Sequence, residues 1–300
     1  MIRISIIGQS GFGKSVTKEI KKMEGAEIAS IFTPDNKKDE LYKFAMENNL
    51  NVHNTSRLRD KESIENFKKY QVDLLVMAYV TDIVPLEIIN NPKLGTIQYH
   101  PSLLPLHRGP SSINWAIING DKKTGITIFW PDEGLDTGPI LIQKEVIIDD
   151  DDTTGSLYFN KLYPIGVETM IESINLIILK KAPKINQNEL DSTYETWCSQ
   201  KEIKWDESAE NIYNLIRGCD PQPGAWTLIN SKKVFLYDCK LLKNNLKINN
   251  RELFFSEKEV SIGINDKKLI IGRMKTEKEK KISSIEWIKN NEINLMTKVG

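Results

Sequence analysis

A chain of 300 residues is long enough for one large domain or two of ordinary size. With 40% hydrophobic and 27% charged residues it is neither disordered nor fibrous in composition. Its 41 basic and 41 acidic side chains cancel, which excludes a protein that gathers nucleic acid or anionic lipid through its overall field.

Taken in chain order, the N-terminus runs MIRISIIG straight into a glycine turn, without the apolar core of a signal peptide. No later run reaches the ~18 apolar residues of a membrane span, so neither export nor a membrane partner is expected. Short apolar runs then alternate with amphipathic ones: Ile2 to Ile7, a helix-like run to Met23, Glu27 to Phe32, a helix-like Asp39 to Asn48, Asp73 to Tyr79, and Gly95 to Tyr99. Strands alternating with helices predict βαβ units, and so an α/β fold with a doubly wound, mainly parallel sheet. In such a sheet ligands sit beyond the carboxyl ends of the strands, which directs attention to the loops after Ile7, Ala78 and Tyr99.

Two further strands are predicted at residues 124–130 and 140–148, followed by a long helix from Thr153 to about Leu179, with the acidic Asp149 to Asp152 at its N-terminal cap. The polar, aperiodic stretch that follows reads as a linker. The expected domains are therefore residues 1–181, a linker at 182–206, and a smaller β-rich domain at 207–300. In the last of these a helix near Glu207 to Arg217 and the turn PQPGAW precede β-like runs at Val234 to Leu242, Glu252 to Ile264 and Lys268 to Ile271. Residues 201–300 hold 19 Lys and Arg against 14 Asp and Glu, a tilt too mild for a dense basic stripe. The cysteines Cys198, Cys219 and Cys239 are odd in number and lack a CxxC spacing, so they signal neither a disulfide framework nor a zinc site and fit a cytoplasmic setting.

Gly8 to Ser15, GQSGFGKS, matches the phosphate-loop pattern GxxxxGK[ST] between a predicted strand and a predicted helix, which makes a P-loop NTPase the reading from another class. Such an enzyme also needs a strand ending in a carboxylate for magnesium, and the best apolar run, Leu74 to Tyr79, has its acid, Asp73, at the wrong end. The competing reading is structural: the glycines permit a tight strand-to-helix turn and Lys14 is exposed on the first helical turn.

The region from Gly95 to Gly138 carries the chemistry. It sets His100, one of three histidines, just past a strand end, and supplies Asp136 on a loop 36 residues later. An imidazole and a carboxylate on neighbouring strand-end loops form the usual unit for polarising a proton carrier. The segments HPSLLPLHRG, TGITIFW and GLDTG resemble the folate-dependent formyltransferases, the family of methionyl-tRNA formyltransferase and glycinamide ribonucleotide transformylase. Within that family the chain is similar to the hydrolase domain of 10-formyltetrahydrofolate dehydrogenases, a likeness that runs from IIGQSGFG to IRGCDPQPGAW near residue 226.

The resemblance implies that His100 is the catalytic imidazole and Asp136 the carboxylate beside it. It implies that Ser102, Leu103, Leu104 and Pro105 border the folate, that Asp82, Ile83 and Val84 line the pterin pocket with Gly134 and Leu135, and that Arg108 and Gly109 shape the adjoining turn. Gln98 stands where the family has asparagine; it keeps the amide donor on a longer arm. The implied donor substrate is 10-formyltetrahydrofolate, with no metal required, and the formyl acceptor stays open among water, initiator Met-tRNA, an amino sugar or a carrier protein. A binding-only protein with a decayed site is a further alternative, with Gln98 its support.

Overall fold

The computed structural model describes residues 1–245 and 247–300. Seven strands, β1 (Ile2–Gly8), β2 (Ala26–Pro34), β3 (Val52–Thr55), β4 (Leu74–Ala78), β5 (Thr96–His100), β6 (Lys123–Phe129) and β7 (Ile140–Ile147), form one sheet in the order β3-β2-β1-β4-β5-β6-β7. The pairs β1–β2, β2–β3, β1–β4 and β4–β5 are parallel and β5–β6 is antiparallel, so the sheet is parallel-dominated and mixed. β1 and β4 lie inside it with nearly unbroken apolar runs (IRISIIG, LLVMA), as strands covered on both faces must.

Helix α1 (Ser10–Ile20) buries Phe12, Val16 and Ile20 along one stripe, and α2 (Glu40–Glu47) buries Leu41 and Ala45. Asp39 caps α2 by accepting from the amides of Leu41 and Tyr42, which starts the helix where the sequence suggests. The long helix expected from Thr153 is interrupted. A short turn at Thr154–Leu157, capped by Thr153, passes into a π-helical turn at Tyr158–Leu162 and only then into the regular helix Tyr163–Ile178. Pro164 on the first turn of that last helix has no amide hydrogen to give, so the regular ladder starts afresh there. Within the acidic tract Asp152 is the member that is used, accepting from the Asp149 amide and the Ser156 hydroxyl.

By compactness the chain divides into two units that alternate along the sequence. Met1–Gly109, Gly125–Val146 and Lys161–Tyr194 make the first; Pro110–Thr124, Ile147–Asn160 and Glu195–Gly300 make the second. The division thus takes a different form from one break at 182–206. In the second unit the Gly218 carbonyl accepts from the Asn114 amide at 2.8 Å and the Thr154 hydroxyl at 2.7 Å, which ties both earlier segments to the helix Ala209–Gly218.

The β-rich part of the second unit contains a five-stranded and a four-stranded sheet. The run Val234 to Leu242 is not one strand. It breaks at Asp238, whose φ of 51° turns the chain, so that Lys232–Tyr237 joins the first sheet and Lys240–Lys243 the second. Glu252 to Ile264 likewise folds into an antiparallel pair, Leu253–Phe255 with Val260–Ile264. The three cysteines are free thiols; Cys198 and Cys219 approach to 4.0 Å between sulfurs, and burial raises the Cys239 thiol well above its ordinary value. No helix among the described residues is long and apolar enough to cross a membrane.

Candidate active site

The site belongs to the first unit and starts from strand alternation. Successive side chains of β5 point to opposite faces, so Gln98 and His100 share one face while Ile97 and Tyr99 point the other way. His100 is the last residue of β5, paired with Thr127 of β6, and not the first residue of the loop as expected from the sequence. The antiparallel partner extends the ladder one residue further than the apolar run does.

The loop after β5 is held by Thr127. Its hydroxyl donates to the Ser102 carbonyl at 2.7 Å and accepts from the Leu104 amide at 3.2 Å, while the Gln143 side chain bridges Thr127 and the Leu104 carbonyl. Ser102 and Leu104 therefore face inward: the Ser102 hydroxyl donates to the Leu106 carbonyl, and Leu104 is buried. The Leu104–Pro105 bond is cis.

The second loop, between β6 and β7, is folded by Asp132, which accepts from the Gly134 amide at 3.0 Å and the Thr137 hydroxyl at 2.6 Å. Gly138 is required for this path: a Cβ there would stand 1.8 Å from the Trp130 carbonyl oxygen. Asp136 sits at the turn with φ 56°, a left-handed conformation that aspartate tolerates better than most residues.

These loops bring His100 and Asp136 together, the two residues being 5% and 7% exposed. His100 Nδ1 lies 3.5 Å from Asp136 Oδ2, an ion-pair distance, and Nε2 lies 2.8 Å from the His107 carbonyl oxygen. Both ring nitrogens thus face oxygens. The Asp136 carboxylate accepts from the Gly109 amide at 2.8 Å and from Gln98 Nε2 at 3.4 Å. Gln98, His100 and Asp136 thus form one cluster, with a backbone carbonyl and a backbone amide from the turn at 107–109 as its outer members.

Two of those outer members, the His107 carbonyl and the Gly109 amide, were invisible to residue-type reasoning because they are main-chain atoms. A third missed residue is Gln187, in the stretch expected to be a linker; its amide donates to the carbonyls of Asp136 and Gly138 at 2.8 and 2.7 Å. Arg108, read only as shaping a turn, is 0% exposed and donates to Gln187, Glu189 and Tyr194. The hydrogen bond from Arg108 holds the Glu189 carboxyl below its ordinary range, and that same bond raises Arg108.

The remaining expected residues divide between two places. Asp82 accepts from the Leu58 and Ile83 amides, and it lines a cavity of about 210 Å³ over the carboxyl ends of β1 to β4, together with Gln9, Thr33, Thr55 and Thr81. His100 and Asp136 do not line that cavity. Ile83 and Leu135 leave their side chains 67% and 56% exposed, while Val84 is buried.

Three polar groups of the glycine-rich turn have partners within the protein. The Ser10 amide at the start of α1 donates to the Asp39 carboxylate at 2.8 Å, so the anion at this helix end is internal. Lys14 pairs with Glu40 at 3.3 Å, and Ser15 bonds the Tyr163 hydroxyl at 2.7 Å.

Residues 2–174 match the formyl transferase family, and residues 198–292 match the formyl transferase C-terminal domain. The chain belongs to the formyl transferase family. Human mitochondrial 10-formyltetrahydrofolate dehydrogenase is 42% identical over 255 residues, which are 82% of this chain and 28% of that protein. The chain thus spans under a third of the length of this relative. Methionyl-tRNA formyltransferase of Clostridioides difficile is 36% identical over 252 residues, covering 83% of this chain and 81% of the relative. Among solved structures, HypX of Aquifex aeolicus in complex with tetrahydrofolic acid superimposes with a TM-score of 0.72 at 18% identity, covering 96% of this chain and 47% of that one. At that identity the likeness speaks for the fold. Among the described residues no group of three or more His, Cys, Asp or Glu is placed to hold a metal ion.

Proposed function

We propose that the protein is an enzyme that removes the formyl group from 10-formyltetrahydrofolate, passing it to an acceptor or to water. The observation that carries this reading is the buried His100–Asp136 pair with the Gln98 amide on the same carboxylate, in a chain of the formyl transferase family. Attack on the formyl carbon produces a tetrahedral intermediate with a negative oxygen, and donors already oriented toward such an oxygen supply a large part of catalysis, ~3 to 4 kcal/mol for one donor. The second N–H of Gln98 fills that role, and His100 as imidazolium joins it once its Nε2–H turns from the His107 carbonyl to the substrate oxygen. Asp136 holds the ring in place and, through water, moves a proton to the departing N10 of the folate.

The exposed apolar side chains Ile83 and Leu135, with Val84 and the Gly134 backbone, suit the flat pterin, while Asp82 suits its ring N–H groups. Ser102, Leu103, Leu104 and Pro105 form the wall beneath the one-carbon unit; with Ser102 and Leu104 facing inward, backbone and Pro105 supply that wall.

Similarity to the dehydrogenase relatives favours hydrolysis or simple transfer. A second reading, initiator Met-tRNA as acceptor, draws on the Clostridioides difficile relative, which is matched along 81% of its length. Incubation with 10-formyltetrahydrofolate alone, then with charged initiator tRNA, separates the two by release of tetrahydrofolate. Release without acceptor supports the hydrolase and release only with tRNA the transferase; no consumption in either arm counts against both.

A further inference from the structure

The segment from Ile185 to Tyr194 is almost wholly polar and makes one 3₁₀ turn, Glu189–Asp191, yet it is fastened to both loops that carry the reacting pair. At one end Ile185 and Ile140 exchange backbone hydrogen bonds at 2.8 and 2.9 Å. At the other, Thr193 accepts from the His107 amide through its hydroxyl at 2.7 Å and from the Arg108 amide through its carbonyl at 2.9 Å, while its own amide donates to the Pro105 carbonyl at 3.1 Å. Between them stands Gln187. Its Nε2 donates to the Asp136 and Gly138 carbonyls, and its Oε1 accepts from Arg108 Nε at 3.1 Å and Nη2 at 2.7 Å. The orientation of this amide is not free: the guanidinium only donates and the two carbonyls only accept, so a flipped amide would face donor with donor and acceptor with acceptor.

We propose that Gln187 is a positioning residue that sets the distance between Asp136 and His100, with Arg108 fixing the direction of its amide. The reasoning runs through the backbone. Asp136 has a left-handed φ, and such a conformation persists only where the surroundings over-determine it. Gln187 grips the carbonyls on both sides of Thr137, which fixes the peptide planes that aim the Asp136 side chain. The guanidinium that orients Gln187 leaves the chain next to His107, whose carbonyl receives His100 Nε2, and next to Gly109, whose amide holds Asp136 Oδ2. One amide therefore joins the loop behind the imidazole to the loop behind the carboxylate. Glu189 balances the charge that makes this possible, since a wholly buried guanidinium needs an anionic partner.

The catalytic meaning of this role rests on the proposed reaction; the geometric claim does not, and the experiment separates them. Two variants of the full chain are compared, Gln187→Met, which keeps the length and removes every hydrogen bond, and Gln187→Glu, which keeps the acceptor for Arg108 and loses both donors. The first readout is the ring-nitrogen NMR shifts of His100, with His53 of the same unit as internal reference. The expected result is that both variants move the His100 signals and leave those of His53 in place. The second readout is turnover of 10-formyltetrahydrofolate: kcat falls about tenfold or more in both, with KM within about twofold, as for a reacting group displaced by a fraction of an ångström. Unchanged His100 signals overturn the proposal, as does a Gln187→Glu variant indistinguishable from the wild type, because attachment to Arg108 alone would then suffice. Signals of His53 and His100 moving together also overturn it, since the effect is then general loosening. If the wild type releases no tetrahydrofolate under any condition, the functional reading fails while the ring signals still decide the positioning.

Discussion

Two loops at the carboxyl edge of the same sheet make an instructive pair. The turn at Gly8 to Ser15 matches a phosphate-binding pattern over eight consecutive residues, and its Ser10 amide, Lys14 and Ser15 are engaged internally, by Asp39, Glu40 and Tyr163. The turn after β5 matches no short pattern of catalysis, and it assembles His100 with Gln98, Asp136, the His107 carbonyl and the Gly109 amide. A contiguous motif describes what the backbone can do locally. Whether a helix end is left open for a ligand depends on which side chain from elsewhere reaches it first. Here the carboxylate of Asp39, which also caps α2, takes the place an anion would have.

The comparison breaks most visibly at the second loop. His100→Ala or Asp136→Ala is expected to lower the rate of formyl release by about 100-fold to 10,000-fold while folate binding, followed by fluorescence quenching, stays within a few-fold. Rates near wild type in both variants would return the site to a purely structural role. Gln98→Leu sharpens the picture with a milder effect, a fall of about 100-fold in kcat with KM little changed, the low end for one lost donor because imidazole remains as the other. An unaltered rate would assign Gln98 to the sheet alone. The smallest effect belongs to the first loop. Lys14→Ala removes an exposed ion pair worth at most ~1 kcal/mol, so turnover and the urea midpoint should hardly move, and calorimetry should detect no ATP binding in either protein. Micromolar ATP affinity lost in Lys14→Ala would reverse the contrast between the two turns.

Gly8 shows why the first loop looks as it does. A Cβ on Gly8 would stand 2.5 Å from the Ala78 carbonyl, so the glycine serves close approach of β1 to β4 and requires no phosphate to explain it. Gly13 follows suit, since a Cβ there would stand 2.9 Å from Leu41 Cδ2, whereas at Gly11 a Cβ would meet nothing nearer than 3.4 Å.

The sequence by itself determined the α/β alternation and the strands on either side of the two site loops, and it singled out His100 and Asp136, which the fold brings within 3.5 Å of each other. These follow from period and from a long family resemblance, both carried by neighbouring residues. It also placed α2 closely, since its cap, Asp39, is a local signal. Only the tertiary structure decided that β5 extends to include His100, because the antiparallel partner β6 lies in another part of the chain. The same holds for the break at Asp238, which divides one apolar run between two sheets. It holds above all for the stretch 185–194. Polar, aperiodic composition is the signature of a linker, yet such residues can be fastened by hydrogen bonds to backbone atoms distant in sequence, and no residue pattern records where those carbonyls and amides will be. Gln187 meets Asp136 across 51 positions of chain, a partnership set by the fold that presents the two loops to each other.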